Sequence, residues 1–239
     1  FVPDIAYHIA KHDRGYTKAI DVWGADHHGY IPRMQAALRA LGYGEDFFEV
    51  ALVQLVKVMR GGEEVRMSKR SGEFVTLRDL VDWVGVDATR YFFLTRPGQS
   101  PFSFDVDLAL KQTDENPIFY VQMAHARMSG IFRVADRSPE SVTGTGALAG
   151  LPAAEDLELL KKLAVFPDIV ARAARGREPH RVTDYLEDLA RVTHAWYHKR
   201  RVLGEVPEVE TARLALARAA RVVLANGLGL LGLSAPDRM

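Results

Sequence analysis

The spacing of apolar residues changes near residue 105, and this change constrains the fold more than any other feature of the chain. Before it, β-branched runs alternate with helical patterns: residues 19–23 predict a strand and residues 31–41 a helix. Beyond it, apolar residues recur at helical spacing in three long segments, 157–174, 182–203 and 209–231. Each of these helices must bury its apolar stripe against the others. The pattern predicts an α/β part followed by an all-α bundle.

Turn and cap signals subdivide the first part. A second apolar run, residues 50–58, precedes a Gly-Gly pair at 61–62. Two glycines between short strands predict a tight hairpin, because a two-residue primed turn needs positive φ. Thr76 and Asp79 have the spacing of a capping box and predict the start of a helix. We expect Asp87 to cap the next helix.

These signals divide the chain into residues 1–75, 76–113 and 114–239. The first part is the α/β part, the second is a connecting helical segment, and the third is the bundle. Within the bundle, residues 138–152 are rich in Gly, Ser, Thr and Pro, which predicts an exposed loop.

Composition excludes several classes of protein. The 239 residues include no cysteine, which rules out disulfides and Cys-ligated zinc and fits a cytoplasmic location. Charged residues interrupt every apolar stretch, so we expect no membrane span. The formal net charge is zero, which counts mildly against a nucleic-acid binder, although local patches still set the field. The first residue is Phe1, which suggests that the chain was cut from a longer protein.

A basic loop follows the predicted hairpin. Arg66, Ser68 and Lys69 lie in a run that ends at Gly72. Such a loop suits a polyphosphate, since Lys supplies a mobile charge, Ser donates a hydrogen bond and Gly permits close approach. The alternative is a solvated basic loop, because basic runs are usually surface.

A second polar group follows the first predicted strand. Gly24 precedes Asp26, His27 and His28. Metal binding is one interpretation, but adjacent histidines point in different directions and we predict no metal site. A helix-capping role for Asp26 is another. Nucleotide binding fits best, because Gly24 allows close approach and Asp26 is placed to accept from ribose hydroxyls.

Two further groups are candidates for ligand contact. Asp4 is a lone carboxylate near the chain start, where a surface or capping role is the ordinary interpretation. Residues 196–201 combine two aromatic side chains with cations, a mixture that suits splayed RNA bases and phosphates. The alternative is that the aromatic rings are core and the cations solvated.

The string from Met67 to Leu77 resembles the KMSKS loop of class I aminoacyl-tRNA synthetases, in the form found in the arginyl-tRNA synthetase family. The resemblance implies that Lys69 steadies the phosphates of ATP during attack at the α-phosphorus, with catalytic roles for Ser68 and for Arg66, where the motif has lysine. Met67 would contact ATP. Gly24 and Asp26 match the family's GxD-type signature, but its usual histidine is replaced by Gly29, so His27 and His28 both remain candidates.

Other segments carry the same resemblance. Asp4 matches an aspartate that contacts the guanidinium of the arginine substrate, with Asp26 as a second arginine contact. The segment from Asn116 to Arg127 resembles the opening of the DALR anticodon-binding domain. The implied tRNA contacts are Tyr120, Gln122, His125, Arg127, Trp196, Tyr197, Arg200, Arg201 and Met239. The implied fold is the second half of a Rossmann-like class I catalytic domain, a segment contacting the tRNA stem, and a helical DALR domain.

The implied activity has two steps: arginine and ATP, with Mg²⁺, form arginyl-adenylate, and the arginyl group then passes to tRNA(Arg). In the family, activation usually requires bound tRNA. The expected partners are tRNA(Arg), L-arginine and ATP, with no membrane, and the expected state is a monomer. A HIGH-type motif and the N-terminal domain are missing, so we expect this chain alone to be inactive. Two alternatives remain: a tRNA-binding module without catalysis, and a synthetase-like paralogue with another acceptor.

Overall fold

The computed structural model describes residues 1–65, 75–142 and 151–239. The chain divides into two units. Unit 1 comprises Phe1–Lys57 and Arg96–Phe104, and unit 2 comprises Val58–Thr95 and Asp105–Met239. The domain boundaries expected after residues 75 and 113 stay predictions.

Unit 1 contains a strand–loop–helix arrangement, as predicted. It begins with α1 (Val2–Asp13) and β1 (Ala19–Gly24), continues through a 3₁₀ turn (Ala25–Tyr30) and α2 (Ile31–Ala40), and reaches β2 (Phe48–Val53). Strands β1 and β2 pair in parallel, with Ala19 opposite Phe48 and Gly24 opposite Val53. The core beneath them is Ala19, Met34, Leu38, Phe47 and Phe48. Burial of this apolar surface fixes β1 and α2 against each other.

A hairpin follows, and it confirms the Gly-Gly prediction. Strands β3 (Val56–Arg60) and β4 (Glu63–Glu64) are antiparallel, with Met59 opposite Glu64. Gly61 and Gly62 have φ of +62° and +79°, as a primed turn requires. The apolar run 50–58 is divided between two strands, because Gln54 and Leu55 separate β2 from β3. A further short strand, β5 (Phe102–Asp105), lies later in the chain.

Two short helices come next, α3 (Leu77–Val84) and α4 (Val86–Leu94), followed by α5 (Val106–Leu110). The predicted capping box is present: Asp79 N donates to Thr76 Oγ1 at 3.1 Å, and Thr76 N donates to Asp79 Oδ2 at 2.7 Å. The expectation that Asp87 caps α4 is wrong. Gly85 is the N-cap residue, and the Asp87 carboxylate instead accepts from Gln122 Nε2 at 2.8 Å.

The rest of unit 2 is a helical bundle, as predicted. Its elements are α6 (Pro117–Val134), a 3₁₀ turn (Pro139–Ser141), α7 (Ala154–Ala164), α8 (Phe166–Gly176), α9 (His180–Lys199) and α10 (Pro207–Leu230). Helix α6 packs against α9 and α10. Fully buried side chains between them include Val121, Met128, Leu186, Leu189, Leu214 and Leu224. None of the described helices is long and apolar enough to cross a membrane.

One predicted helix of the bundle is wrong. Residues 157–174 were expected to form a single helix, but the chain breaks between α7 and α8. Pro167 lies in the first turn of α8, where its missing N–H is tolerated, whereas inside a continuous helix it would remove a hydrogen bond. Of the expected loop 138–152, residues 143–150 lie outside the described part of the chain.

Candidate functional site

A cavity of about 460 Å³ opens in unit 1 between α1, β1, the first 3₁₀ turn and α2. Its walls combine aromatic rings with charged groups. The lining residues are Phe1, Asp4, Tyr7, His8, Lys11, Asp21, Trp23, His27, Tyr30 and Met34. Two of the predicted site residues, Asp4 and His27, therefore come together here.

The wall of this cavity holds a charged cluster that sequence reasoning missed. Asp21 on β1 lies 2.9 Å from Lys11 Nζ and 3.1 Å from His8 Nε2. His8 is buried, and its Nδ1 lies 2.7 Å from the carbonyl oxygen of Asp4. The available signal was a lone carboxylate inside an apolar strand, together with two polar residues three apart on α1. Because Lys11 offsets the charge of Asp21, Asp21 is less available to a cationic ligand.

Asp4 differs from Asp21 in its surroundings. Its carboxylate is 65% exposed on the first turn of α1, and the ring of Tyr7 lines the same cavity. Tyr30 lines the cavity as well. A carboxylate beside aromatic faces suits a planar cation, since the fork of a guanidinium matches two carboxylate oxygens and its face stacks on rings.

The turn after β1 holds the other predicted nucleotide residues. A side chain at Gly24 would place its Cβ 2.5 Å from Asp26 Oδ1, so the position has no room for one without movement of Asp26. The Asp26 carboxylate is exposed and lies 3.7 Å from His27 Nε2. Gly24, Asp26 and His28 do not line the cavity that contains Asp4. Their assignments to ATP, and that of Asp26 to arginine, stay predictions.

The predicted catalytic loop, with Arg66, Met67, Ser68 and Lys69, lies outside the described residues. The hairpin before the loop contacts both α5 and α3, the helix that follows the loop. Gly61 N donates to Asp107 Oδ2 at 2.5 Å, and the Arg60 guanidinium lies 4.7 Å from the centre of the Trp83 ring. Within the described residues, no group of three or more His, Asp or Glu is placed to hold a metal ion.

A second candidate site lies on unit 2, where α6 and α9 bring Tyr120, Arg127, His194, Tyr197 and His198 together. We call it the α6–α9 surface. Arg127 Nη1 donates to His194 Nδ1 at 2.7 Å, and its guanidinium lies 5.8 Å from the Tyr197 ring. The Tyr120 and His194 rings lie 4.4 Å apart. A cation beside the exposed ring of Tyr197 is suited to RNA bases and phosphates.

The hydrogen bonds of His194 define its protonation state. Nε2 donates to the carbonyl oxygen of Tyr120 at 3.0 Å, while Nδ1 accepts from Arg127. Only the neutral imidazole with hydrogen on Nε2 satisfies both bonds. Burial lowers the pKa of His194, and the charge of Arg127 lowers it further. The neutral ring therefore keeps Arg127 in place.

Three predicted tRNA contacts are corrected by their burial. Trp196 is fully buried, and its indole N–H donates to Asp156 Oδ1 at 2.7 Å, so its ring faces are unavailable to a base. His125 is buried, with Nδ1 donating to the carbonyl oxygen of Pro236 at 2.9 Å. Gln122 is buried too, and its amide donates to Ser234 as well as to Asp87. His125 and Gln122 hold the C-terminal segment rather than facing a ligand.

The remaining predicted contacts are spread over unit 2. Arg200 donates to the carboxylate of Glu155 and is half-buried. Arg201 is exposed and donates to the carbonyl oxygen of Leu203 at 2.9 Å. Met239 is half-exposed and lines a separate cavity of about 420 Å³ beside Gln122. Of the predicted set, Tyr120, Arg127 and Tyr197 are the ones that meet at the α6–α9 surface.

Similarity to known proteins extends over both units of the chain. Residues 121–239 match the family described as DALR anticodon binding domain. Over its whole length the chain is 52% identical to the arginine–tRNA ligase of Geobacillus thermodenitrificans (strain NG80-2) and 50% identical to that of Desulforudis audaxviator (strain MP104C). The chain spans 43% of the length of each of these relatives.

A solved structure supports the same assignment. A crystal structure from Campylobacter jejuni that carries an arginyl-tRNA synthetase assignment superposes with a TM-score of 0.91 at 33% identity, over 99% of this chain and 51% of that one. The predicted fold class, a Rossmann-like half followed by a helical anticodon-binding domain, is confirmed. The chain belongs to the arginyl-tRNA synthetase family.

Proposed function

We propose that the protein is an arginine–tRNA ligase, which activates L-arginine with ATP and transfers it to tRNA(Arg). The observation that carries the proposal is the cavity of unit 1, which the exposed carboxylate of Asp4 lines together with the rings of Tyr7 and Tyr30. The names of the relatives at about 50% identity support it. A cytoplasmic location and a monomeric state belong to the same proposal.

The proposed chemistry assigns a separate role to each group. Asp4 binds the guanidinium of arginine, and the aromatic walls exclude water from its aliphatic stem. A carboxylate oxygen of arginine attacks the α-phosphorus of ATP, and pyrophosphate leaves. The terminal hydroxyl of tRNA then attacks the carbonyl carbon, and AMP leaves. Mg²⁺ accompanies the phosphates of ATP, and the role of Lys69 beside them rests on sequence resemblance.

Replacement of Asp4 tests the arginine site. In the full-length protein with tRNA present, Asp4→Asn should raise the KM for arginine at least about tenfold in ATP–pyrophosphate exchange, because a charged hydrogen-bonded pair is lost. Asp13→Asn is the matched control: it lies on the same helix, is exposed, and does not line the cavity. An unchanged KM for Asp4→Asn would favour a paralogue with another acceptor.

A second candidate function is tRNA binding without catalysis, which the α6–α9 surface favours. A titration of tRNA at several salt concentrations tests it. Binding through phosphates weakens steeply as salt rises. Salt-dependent binding together with no arginine-dependent exchange in the full-length protein would support the binding module over the ligase.

A further inference from the structure

A strongly basic cavity of about 590 Å³ lies at the C-terminal end of α6, next to α10 and the last residues of the chain. Four of its lining residues are arginines, namely Arg133, Arg137, Arg221 and Arg238. Two are carboxylates, Asp136 and Asp237. We call it the four-arginine cavity. It is separate from the α6–α9 surface, and no predicted site residue lines it.

One arginine and one carboxylate of this cavity neutralise each other. The Asp237 carboxylate accepts from Ser129 Oγ at 2.7 Å and from Arg221 Nη2 at 3.2 Å. These bonds, with Ser129 contributing most and Arg221 next among the favourable ones, hold the pKa of Asp237 below its usual range. Asp237 therefore stays charged, and its charge is matched by Arg221 rather than by the other arginines.

The other three arginines form no such pair with a carboxylate of the described residues. Arg133 donates to the carbonyl oxygen of Asp237, which is a neutral acceptor. Arg137 and Arg238 are exposed, and their side chains make no hydrogen bond or ion pair with the described residues. Among the described residues that line the cavity, only Asp136 is left to oppose them. Glu140, on the neighbouring 3₁₀ turn, adds one negative charge near Arg221. The four guanidinium groups still outnumber these carboxylates, so the cavity carries an excess of positive charge. A cluster of this kind attracts anions.

The end of α6 does not compete for these guanidinium groups. Its last turn is closed by backbone bonds, in which the N–H groups of Ala135, Asp136 and Arg137 donate to the carbonyls of Ile131, Arg133 and Phe132. Three of the last four carbonyls of the helix, which would otherwise draw in an arginine, are therefore already satisfied.

The chemistry of the cavity selects a phosphate over a base. Guanidinium groups on separate segments offer several N–H donors to a tetrahedral oxyanion. The one aromatic ring among the lining residues, Phe132, is buried and offers no face for stacking. We propose that the four-arginine cavity binds a phosphate group of the RNA backbone. The RNA is the one that the proposed function places on this domain, so the inference rests on that function.

The double variant Arg137→Gln with Arg238→Gln tests the site. Both side chains lack partners among the described residues, so the fold should survive, which thermal unfolding checks. In the full-length protein, the Kd for tRNA should rise about tenfold at low salt, and the slope of log K against log salt should fall by roughly one to two. The double variant Arg137→Lys with Arg238→Lys keeps both positive charges but loses the paired N–H donors of the guanidinium groups. Its Kd for tRNA should lie between those of the unchanged protein and the double Gln variant.

The matched control removes two exposed arginines elsewhere. Arg172 and Arg175 lie on α8, outside the cavity. Their double replacement by Gln should change the Kd less than about twofold. An equal loss in this control would show a general charge effect and would overturn the proposal.

The outcomes of the tRNA titrations distinguish a failure of the cavity proposal from a failure of the proposed function. If the wild-type protein binds tRNA and the Arg137/Arg238 variant keeps its Kd and slope, the cavity proposal fails and the proposed function stands. If the wild-type protein shows no salt-dependent binding, both fail.

Inorganic phosphate is the second probe, because a free phosphate ion could occupy the cavity in place of a phosphate group of RNA. Arginine Nε–H resonances of the cavity should shift on addition of tRNA and stay unmoved by phosphate beyond a chloride control at equal ionic strength. Shifts with phosphate but none with tRNA would overturn the RNA assignment.

Discussion

At the scale of single residues, α9 places two neighbouring aromatic rings in opposite surroundings. Trp196 is fully buried, while Tyr197 is 40% exposed. The carboxylate beneath Trp196 also accepts from Arg213 Nε at 3.3 Å and from Ala153 N at 3.2 Å. Trp196 therefore belongs to a buried polar network that joins α7, α9 and α10, whereas Tyr197 is free to meet a ligand.

A pair of replacements separates these roles. Trp196→Phe should lower the free energy of unfolding by about 1–3 kcal/mol, because Asp156 loses a buried donor, and should leave the Kd for tRNA unchanged. Tyr197→Ala should barely alter stability but should weaken tRNA binding about tenfold through lost stacking. Urea denaturation and a tRNA titration measure the two effects. The opposite pattern would restore Trp196 as the RNA contact.

Two buried histidines should make stability depend on pH. Burial lowers the pKa of both His125 and His194 from the ordinary 6.5. Below pH 6.5 the unfolded chain therefore binds more protons than the folded chain. Their contribution to stability is present above 6.5 and is lost as the pH falls towards their folded-state pKa values.

Urea denaturation between about pH 8 and about pH 5 measures this dependence. The free energy of unfolding should fall as the pH drops below 6.5. The double variant His125→Gln with His194→Gln should show a shallower fall, whatever its stability at high pH. An equal pH dependence in the variant would contradict the assignment.

At the scale of elements, α10 packs closely against α9 because Gly227 has no side chain. A Cβ at Gly227 would lie 2.6 Å from Leu186 Cδ2, and Leu186 is fully buried on α9. Gly229, two residues later on the same helix, has open space at its Cβ position. The two glycines therefore serve different purposes, since one permits close packing and the other only lowers helix propensity.

Alanine replacement distinguishes them. Gly227→Ala should lower the free energy of unfolding by about 1–3 kcal/mol, because the packed Leu186 side chain must move. Gly229→Ala should be neutral or stabilising by up to about 1 kcal/mol, because alanine restricts the unfolded chain and favours helix. Denaturation followed by far-ultraviolet circular dichroism compares them. Equal effects would mean that Leu186 has room to move.

At the scale of unit 2 as a whole, the C-terminal segment ties distant helices together. Ser234 N lies 3.3 Å from the carboxylate of Asp87 on α4, although the two residues are 147 positions apart. The same segment binds His125 on α6 through Pro236, and Arg221 on α10 through Asp237. The last residues are therefore part of the folded unit and not a trailing end.

Truncation tests this connection. A chain ending at Leu233 should lose about 3 kcal/mol or more of stability, since each lost hydrogen bond contributes about 1 kcal/mol. A chain ending at Arg238 is the control: it lacks only Met239, whose side chain forms no hydrogen bond with the described residues. The control should stay within about 0.5 kcal/mol of the parent. Equal stability of both chains would show that the segment is not structural.

The sequence by itself determined the local features and the family. The Gly61–Gly62 hairpin and the Thr76–Asp79 cap were predictable, because turn and cap preferences act within a few residues. Tertiary structure alone decided which polar groups meet. The cluster around Asp21 and the four-arginine cavity join separate segments, and the burial of Trp196 but not Tyr197 depends on what packs against α9. Helical spacing specifies that one face is buried, but the packing partners determine where that face ends.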